Sequence, residues 1–397
     1  MDSVRILYWT PFFLPDVGGI ETLVAKILPM LRQRDYEVIV VTSHGKYDVP
    51  DETNYCGIPV YRFHTRSALG KGNLPEILKI KQRVARLKQS FRPHLTHIHI
   101  SDPSAFFHVN TQSAYPTPTL ATFHSLLSFQ SAANGSDSLL AKIINTADFV
   151  STVSRYVLTE ICKASPAVKG RSTVIYNGID LLDKTPEPLA FDPPRIVCIG
   201  RLIRKKGFDL AIAAFHSVVA RFPQARLTII GDGPLRAELT QQAAALGLSD
   251  AVEFTGAVKP EEVYSILNRS TVAVLASRRV QENGSDGFMY SEGFPMVALE
   301  AALMGRPTIA TSVAGLPEAV LHNQTGLIVE EGNRQALADA IVYLLTNRDV
   351  AFSLGRSGRL RVIDTFDLEK CVDSYDNLYR RLVSRTSRDP ASQDDKS

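Results

Sequence analysis

The stretch Ser291-Glu-Gly-Phe-Pro-Met-Val-Ala-Leu-Glu-Ala-Ala302 lies between two apolar, strand-like runs of the chain, residues 271–276 and 307–310. Proline suits the first position of a helix because it has no amide hydrogen to leave unpaired there. We therefore expect a helix that begins at Pro295 and ends before Gly305. Free N–H groups at such a helix start favour an anion such as phosphate. The stretch predicts a strand–loop–helix–strand unit with an anion site.

Two carboxylates flank the predicted helix start. Glu292 precedes it, and Glu300 follows Pro295 by five residues, which is about 7–8 Å along a helix axis. Taken alone, such a pair is more often an ordinary helix with one acid near its start and another on a solvated face. The rest of the chain has to decide between that interpretation and a functional one.

The composition excludes several classes of protein. The 397 residues include 44 Lys and Arg against 41 Asp and Glu, so no general affinity for nucleic acid is expected. The four cysteines, Cys56, Cys162, Cys198 and Cys371, have no metal-ligand spacing and are typical of reduced thiols. The start of the chain lacks a signal-peptide pattern, and no apolar run is long enough to span a membrane. We expect a cytoplasmic protein, peripheral at most at the inner face of the membrane.

Strand-like and helix-like runs alternate along the chain, which predicts parallel sheets with helices on both faces. The predicted strands are Val4–Trp9, Glu37–Thr42, His94–Ile100, Thr119–Phe123, Phe149–Val153, Ser172–Tyr176, Arg195–Ile199, Arg226–Ile230, Val252–Thr255, Thr271–Ala276 and Thr308–Thr311. The predicted helices include Glu21–Arg34, Asp209–Arg221, Pro234–Leu246, Arg334–Thr346 and Leu368–Leu382. A Pro-rich linker, 185–194, separates a domain at 1–184 from a second at 195–365. Residues 384–397 are polar and are expected to form a disordered tail.

A strongly basic segment interrupts the first series. Residues 62–92 contain nine basic side chains and one acid, Glu76. Its core, Ile77–Phe91, carries apolar residues at helical spacing, which predicts a basic amphipathic helix. A solvated helix face and a surface that docks on an anionic membrane both account for this pattern.

A glycine-bounded basic loop, Gly200-Arg-Leu-Ile-Arg-Lys-Lys-Gly207, follows the predicted strand Arg195–Ile199. Arg201 offers a guanidinium fork and Lys206 an ammonium, which together suit the two phosphates of a diphosphate. Alone, such a run is more often a solvated turn.

These stretches, in their order along residues 4–380, resemble the motifs of the retaining glycosyltransferases of family 4, which have the GT-B fold. Glu292 and Glu300 match the E-x7-E signature, and residues 200–207 match G-R-L-x-x-x-K-G. Further matches are the glycine loop at Gly18-Gly19, the strand-terminal His124, the turn 175–180, the G-x-G-P turn 231–234 and the turn 257–259. The resemblance implies an α/β protein with two Rossmann-like, doubly wound domains that face each other across a cleft. It also implies that a C-terminal helix, 366–383, crosses back to the N-terminal domain.

The resemblance assigns a role to each matched residue. Arg201 and Lys206 would hold the donor diphosphate, Glu300 the ribose hydroxyls, and Glu292 and His124 the transferred sugar. The residues implied in catalysis are His124, Glu292, Arg201 and Lys206. The residues implied in donor binding are Gly18, Gly19, Gly231, Val258, Gly293, Phe294, Pro295, Met296, Val297 and Glu300.

The implied activity is transfer of a sugar from a nucleoside-diphosphate sugar, with a UDP-hexose favoured, to a hydroxyl of a saccharide or lipid-linked acceptor. The transfer would retain the anomeric configuration. It would serve the synthesis of a polysaccharide or a glycolipid. No cofactor and no metal are expected, because the site supplies its own cations and the chain lacks an Asp-x-Asp motif. Two alternatives stay open: a sugar-nucleotide epimerase with the same fold, and a non-catalytic nucleotide-sugar binding protein.

One segment departs from the family pattern. Residues 277–291 form a longer connection than the family often has at this place, with Gly284 and Gly287 as candidate hinges. Long connections of this kind are often functional. We expect this one to close over the sugar or to form a wall of the acceptor pocket.

Overall fold

The computed structural model describes residues 3–125, 139–182, 185–281, 289–290 and 292–386. Contacts divide the chain into two compact units: unit 1 comprises Met1–Gly178 and Leu368–Ser397, and unit 2 comprises Ile179–Asp367. Each is built on a parallel sheet with helices, so the predicted α/β class is confirmed. Most of the predicted tail and most of the segment 282–291 lie outside the described residues.

Unit 1 contains a sheet of eight strands in the order β3-β4-β2-β1-β5-β6-β7-β8. Its strands are β1 Val4–Trp9, β2 Tyr36–Ser43, β3 Glu52–Tyr55, β4 Ile58–Phe63, β5 Leu95–Ile100, β6 Thr119–Phe123, β7 Phe149–Thr152 and β8 Ser172–Val174. All neighbours are parallel except the hairpin β3–β4. The sequence analysis predicted neither strand of this hairpin. Strand β3 is polar and partly exposed, so it lacks the apolar run of an interior strand, and β4 contains Pro59, a residue that argues against an interior strand.

The first helices of unit 1 are α1 Gly19–Gln33, α2 Thr65–Gly70, α3 Leu74–Phe91, α4 Ala105–Val109, α5 Leu139–Thr146 and α6 Arg155–Ala164. Helix α3 is the predicted amphipathic helix, extended by three residues at its start. Asn73 caps it by accepting a hydrogen bond from the Glu76 amide at 3.2 Å. Short 3-10 turns lie at Gln112–Ala114 and Pro166–Arg171.

Unit 2 contains a parallel sheet of six strands in the order β11-β10-β9-β12-β15-β16. Its strands are β9 Arg195–Ile199, β10 Arg226–Ile230, β11 Val252–Gly256, β12 Val272–Leu275, β15 Thr308–Thr311 and β16 Gly326–Val329. A separate two-residue hairpin joins β13 Val280–Gln281 to β14 Met289–Tyr290. Because parallel strands share one carboxyl edge, the loops after β9, β10 and β12 all open at the same side of this sheet.

The helices of unit 2 are α7 Phe208–Arg221, α8 Arg236–Ala245, α9 Pro260–Asn268, α10 Met296–Leu303, α11 Leu316–Ala319, α12 Arg334–Thr346 and α13 Arg348–Thr365. The sequence analysis missed α13, whose charged residues and two glycines hide its apolar face. A Cβ at Gly355 would lie 2.1 Å from the Gly305 carbonyl oxygen. The glycine therefore permits a close packing of α13 that ordinary helix propensity would not predict.

The C-terminal helix α14, Leu368–Thr386, belongs to unit 1 by its contacts. Its apolar face packs into the same core as α1, β1 and β2, and Val372, Tyr375 and Tyr379 are fully buried there. Arg34 at the end of α1 holds its outer face, with ion pairs to Glu369 at 2.6 Å and Asp373 at 2.7 Å. Within the described part of the chain, no helix combines the length and apolarity that a membrane span requires.

Candidate functional site

The basic loop after β9 is shaped by its two glycines. Gly200 has φ +147° and Gly207 has φ +65°, conformations that other residues rarely adopt. A Cβ at Gly207 would lie 1.9 Å from the Ala276 carbonyl oxygen, so only glycine lets this loop approach the end of β12. The short 3-10 helix Arg204–Lys206 lies between them and directs Lys206 toward β12, where its side chain meets Glu292.

The next loop, after β10, packs directly on the first. The Leu202 amide donates to the Asp232 carbonyl at 2.9 Å, and a Cβ at Gly231 would lie 2.1 Å from the Gly200 carbonyl oxygen. Gly231 also donates to the Gly256 carbonyl at 2.8 Å, which ties it to the turn that carries Val258. Gly231 and the turn that carries Val258 are therefore held beside the basic loop, at the carboxyl edge of the unit 2 sheet.

Lys206 and Glu292 form an ion pair in unit 2. Lys206 Nζ lies 2.7 Å from Glu292 Oε1, and the two side chains are only 20% and 12% exposed. Burial by itself would raise the pKa of Glu292, but Lys206 and Lys205 more than offset it, and the pKa falls below its usual value. Glu292 is therefore a carboxylate that accepts hydrogen bonds and does not donate them.

The first residues of the long connection hold the basic loop in place. The Arg278 guanidinium binds both carboxylate oxygens of Asp209, at 2.9 and 3.0 Å, and its amide donates to the Lys205 carbonyl at 2.8 Å. The sequence analysis did not single out Arg278, since no motif marks it. The predicted hinges Gly284 and Gly287 lie outside the described residues.

The predicted helix start at Pro295 needs a correction. Helix α10 begins at Met296, and Pro295 is the extended N-cap residue, with φ −84° and ψ +105°. Phe294 is buried against Phe366, at 5.4 Å between ring centroids, and the chain stays extended through Pro295. The N–H groups that open the helix therefore belong to Met296 and Val297, because the first turn of a helix has no internal acceptors for them.

The remaining predicted donor residues of unit 2 differ in exposure. Gly293 is buried, Glu300 is half-buried on α10, and Arg201 is exposed at the surface of the basic loop. Burial and, next, the Glu300 carboxylate raise the pKa of Tyr264 on α9, which places Glu300 close to that phenol. The structure thus joins Lys206 to Glu292 and places Glu300 beside Tyr264.

In unit 1, Gly18 and Gly19 form the start of α1 and not a loop ahead of it. Gly18 is the N-cap residue with φ −159°, an extended conformation open to any residue, and a side chain at Gly19 would meet open space. Helix α1 starts two residues earlier than predicted, because glycine is well tolerated at the N-cap position, which Gly18 occupies. The local backbone does not require glycine at either position.

His124 follows β6 and is 8% exposed. Its Nε2 lies 2.6 Å from Nδ1 of His99, and Nε2 of His99 lies 2.6 Å from the Tyr8 hydroxyl. Burial lowers the pKa of His124 to about 3, so the imidazole is neutral at physiological pH. It can bind a ligand through one N–H or one lone pair, but it is not a source of protons.

The sequence analysis overlooked His97 and His99 on β5. They alternate with Ile98 and Ile100, so both point to the same face of the sheet. His97 lies 2.6 Å from the Tyr379 hydroxyl of α14 and 2.7 Å from Thr122 Oγ1. Two histidines at alternate positions of an otherwise apolar strand were the signal for this buried polar layer.

Two members of the predicted basic segment are not on its surface. Arg62 is 5% exposed and donates to Thr53 and to the Leu14 carbonyl, and Lys88 is 1% exposed beside His108. Burial lowers the pKa of Lys88 to about 7. The exposed part of the segment is therefore smaller than the sequence indicated.

One group of side chains in the described part of the chain has the spacing of metal ligands. Ligand atoms of His44, Asp51 and His64 lie within 4.8 Å of one another. Both carboxylate oxygens of Asp51 are already engaged, one by His44 and one by Arg83, each at 2.9 Å. The expectation that transfer requires no metal stays a prediction.

Two family models together match most of the chain. Residues 17–182 match the model described as Glycosyltransferase Family 4, and residues 183–361 match the model described as Glycosyl transferases group 1. The chain belongs to the family 4 glycosyltransferases. A glycosyltransferase activity follows from this membership, as the sequence predicted.

Curated relatives of this glycosyltransferase act on different substrates. A GDP-mannose-dependent alpha-(1-6)-phosphatidylinositol monomannoside mannosyltransferase of Mycobacterium tuberculosis is 29% identical over 89% of this chain and 92% of its own. An N-acetyl-alpha-D-glucosaminyl L-malate synthase of Bacillus anthracis is 26% identical over 92% of this chain and 94% of its own. The GDP-mannose dependence of the first does not fit the UDP-hexose preference that the sequence analysis favoured.

Solved structures show the same fold. A sucrose-phosphate synthase of Thermosynechococcus elongatus superposes with a TM-score of 0.79 at 23% identity, over 96% of this glycosyltransferase and 100% of that chain. The Anabaena protein HepE, crystallised with UDP and glucose, superposes with a TM-score of 0.73 at 20% identity, over 96% and 100%. The predicted GT-B fold of two Rossmann-like domains is confirmed.

Proposed function

We propose that this glycosyltransferase moves a hexose from a nucleoside-diphosphate sugar to a hydroxyl of a saccharide or lipid-linked acceptor and retains the anomeric configuration. The observation that carries the proposal is the ion pair of Lys206 and Glu292 at the carboxyl edge of the unit 2 sheet. In parallel sheets this edge is where ligands bind. Lys206 supplies a cation for a phosphate group, and Glu292, in contact with it, supplies an ionised hydrogen-bond acceptor for sugar hydroxyls.

Lys206 would stabilise the departing diphosphate. Its ammonium has three N–H donors, so it can keep Glu292 and still bind a phosphate oxygen. Arg201 and the opening N–H groups of α10, at Met296 and Val297, would bind the remaining phosphate oxygens. The reaction builds negative charge on the leaving group, and cations fixed in advance stabilise it without reorganisation.

The protonation states favour an electrostatic mechanism. Glu292 is ionised, and His124 has a pKa of about 3, so neither would donate a proton to the leaving group at neutral pH. Both would instead bind the transferred sugar, Glu292 as an acceptor of hydrogen bonds. The departing phosphate would take the proton of the incoming hydroxyl on the same face of the sugar, which gives retention.

The donor is proposed to be a hexose on UDP or on GDP. The name of the mycobacterial relative supports GDP-mannose. With either nucleotide, the base would bind to the backbone at Gly231 and at Val258. Glu300 on α10 would accept hydrogen bonds from the ribose hydroxyls.

The test is a donor screen with the product followed by NMR. We expect one of UDP-glucose, UDP-galactose, UDP-N-acetylglucosamine or GDP-mannose to release its nucleoside diphosphate with an acceptor present, and the new bond to keep the donor's anomeric configuration. Turnover of ADP-glucose alone would contradict the proposed UDP or GDP donor. Glu292→Gln is the matched inactive control. Appearance of an epimer from donor alone would identify an epimerase instead, and binding without turnover would identify a binding protein. An inverted product would contradict retention.

We also propose that the exposed part of α3 contacts an anionic membrane, which would hold a lipid-linked acceptor. Leu74 and Leu78 are 68% and 56% exposed, and Lys71 and Lys79 next to them and Arg86 further along the helix are exposed as well. Apolar and basic residues side by side at a surface suit insertion beside acidic headgroups.

A further inference from the structure

Three buried side chains of unit 1 form a continuous hydrogen-bonded row that ends at His124. The Tyr8 hydroxyl lies 2.6 Å from His99 Nε2, and His99 Nδ1 lies 2.6 Å from His124 Nε2. Neighbouring rings in the row are stacked, with 4.9 Å between centroids in both pairs. The members come from β1, β5 and the end of β6, which are adjacent strands.

The row has a direction because each contact needs one donor and one acceptor. Burial lowers the pKa of both imidazoles far enough to keep them neutral, and a neutral imidazole carries one N–H and one lone pair. Either Tyr8 donates to His99 and His99 donates to His124, or every hydrogen bond runs the opposite way. The two arrangements leave His124 Nδ1 as a donor and as an acceptor, respectively.

Tyr8 decides between the two directions. Its side chain is fully buried, and among the described residues His99 is the only hydrogen-bond partner of its hydroxyl. If His99 donated, the hydroxyl hydrogen of Tyr8 would be buried without an acceptor and would carry its full desolvation cost. If Tyr8 donates, every hydrogen in the row has an acceptor.

We infer that Tyr8 and His99 are positioning residues that hold His124 as the Nδ1–H tautomer, with its Nε2 accepting from His99. His124 then presents a donor of fixed direction, which suits an oxygen of a sugar. The use of this donor in transfer rests on the proposed function, whereas the tautomer does not.

A second buried row in the same unit serves as a matched control. His97 lies 2.6 Å from the Tyr379 hydroxyl and 2.7 Å from Thr122, and Thr122 continues to Ser151 at 2.5 Å. It has the same tyrosine-to-histidine contact but does not include His124. Tyr379→Phe therefore removes an equivalent buried hydroxyl and none of the hydrogen bonds of the first row.

The tautomer is measured on the full-length protein labelled with ¹⁵N-histidine. Two-bond ¹H–¹⁵N correlations distinguish the two tautomers, and the His124 signals are identified by their loss in His124→Gln. At pH 7 we expect wild-type His124 to be protonated at Nδ1 and unprotonated at Nε2. A proton at Nε2 in the wild-type protein overturns the inference without any variant of Tyr8.

The variants then test the cause. In Tyr8→Phe we expect His124 to become a mixture of tautomers, and in Tyr379→Phe we expect its wild-type pattern. Circular dichroism shows whether each variant is folded. A folded Tyr8→Phe protein with an unchanged His124 pattern, or equal changes in both variants, overturns the role of Tyr8.

Kinetics connect the tautomer to transfer. Loss of one fixed hydrogen bond is expected to lower kcat in Tyr8→Phe about tenfold, and Tyr8→Phe should have no further effect in a His124→Ala background. A further loss in that background shows that Tyr8 acts by another route. If His124→Ala itself transfers normally, the proposed contact of His124 with the sugar fails, while the NMR result still decides the tautomer.

Discussion

Lys206 is the single residue on which the proposed phosphate contact depends most. It is bound to Glu292 at 2.7 Å, and both side chains are largely buried. A nucleotide therefore meets an ammonium that is already oriented, since the carboxylate fixes the flexible lysine side chain. Pre-orientation of this kind lowers the entropic cost of binding.

Lys206→Ala is expected to weaken binding of the nucleoside diphosphate by about 1.5–3 kcal/mol, the usual contribution of a hydrogen bond to a charged group. Lys205→Ala, on the same loop, is the matched control, with a smaller effect expected. Isothermal titration with UDP and GDP measures both, and EDTA should leave the affinities unchanged. Equal affinity in Lys206→Ala and wild type, or strict dependence on magnesium, contradicts this role.

Among the elements, helix α3 shows how burial revises a charge pattern. Ile80, Val84 and Lys88 face the protein, and Arg83 is bound to Asp51 at 2.9 Å. Among the basic residues that remain exposed, Lys71 and Lys79 lie next to Leu74 and Leu78, and Arg86 lies two turns further along α3. The surface available for a membrane is the exposed part of α3 and Lys71 before it.

Replacement of Lys71, Lys79 and Arg86 by Ser is expected to weaken binding to anionic vesicles roughly a hundredfold, at about 1 kcal/mol for each charge near the surface. The double variant Leu74→Ser, Leu78→Ser should weaken vesicle binding equally at low and high salt, because the lost interaction is apolar and salt does not screen it. Vesicle sedimentation at low and high salt measures both.

The control for α3 is Lys163→Ser with Lys169→Ser, two exposed lysines of the same unit. It should bind vesicles like the wild type. Equal binding by all variants, or no wild-type binding at low salt, would leave α3 as a solvated helix face.

In the whole molecule, unit 2 is an insertion between two parts of unit 1. The chain leaves unit 1 after Gly178 and returns at Leu368. The two ends of unit 2 are adjacent, because the Ile179 amide donates to the Phe366 carbonyl at 2.8 Å and Ile179 pairs with Asp367. Unit 1 can therefore be closed by a short link.

A chain that joins Gly178 to Leu368 through a few Gly and Ser residues is expected to fold as a cooperative unit. Residues 1–178 alone should not, because they lack the apolar face of α14, and each large buried side chain contributes about 1.5–3 kcal/mol. Circular dichroism and thermal unfolding compare the two proteins. A stable fold of 1–178 alone would show that α14 is dispensable.

The sequence determined most of the interior strands and the motif residues, although it missed β4, an interior strand of the unit 1 sheet. The predicted bounds of β1, β6, β9, β10 and β15 coincide with those in the structure. These strands lie inside parallel sheets and are covered on both faces, so they appear in the sequence as short apolar runs between turns. Edge strand β3 lacks an apolar run because it is partly exposed. Helix α13 lacks a clear apolar pattern because part of its close packing is made through a glycine, Gly355.

Only the tertiary structure decided the states of the site residues. The sequence placed Lys206 and Glu292 in separate motifs, and the packing of the β9 loop on the end of β12 brought them within 2.7 Å. The sequence named His124, but its neutral state comes from its burial in the tertiary structure, and the direction of its hydrogen bond comes from His99 and Tyr8 on neighbouring strands. Charge, protonation and hydrogen-bond direction depend on neighbours distant in the sequence, because burial and partners set them and residue type alone does not.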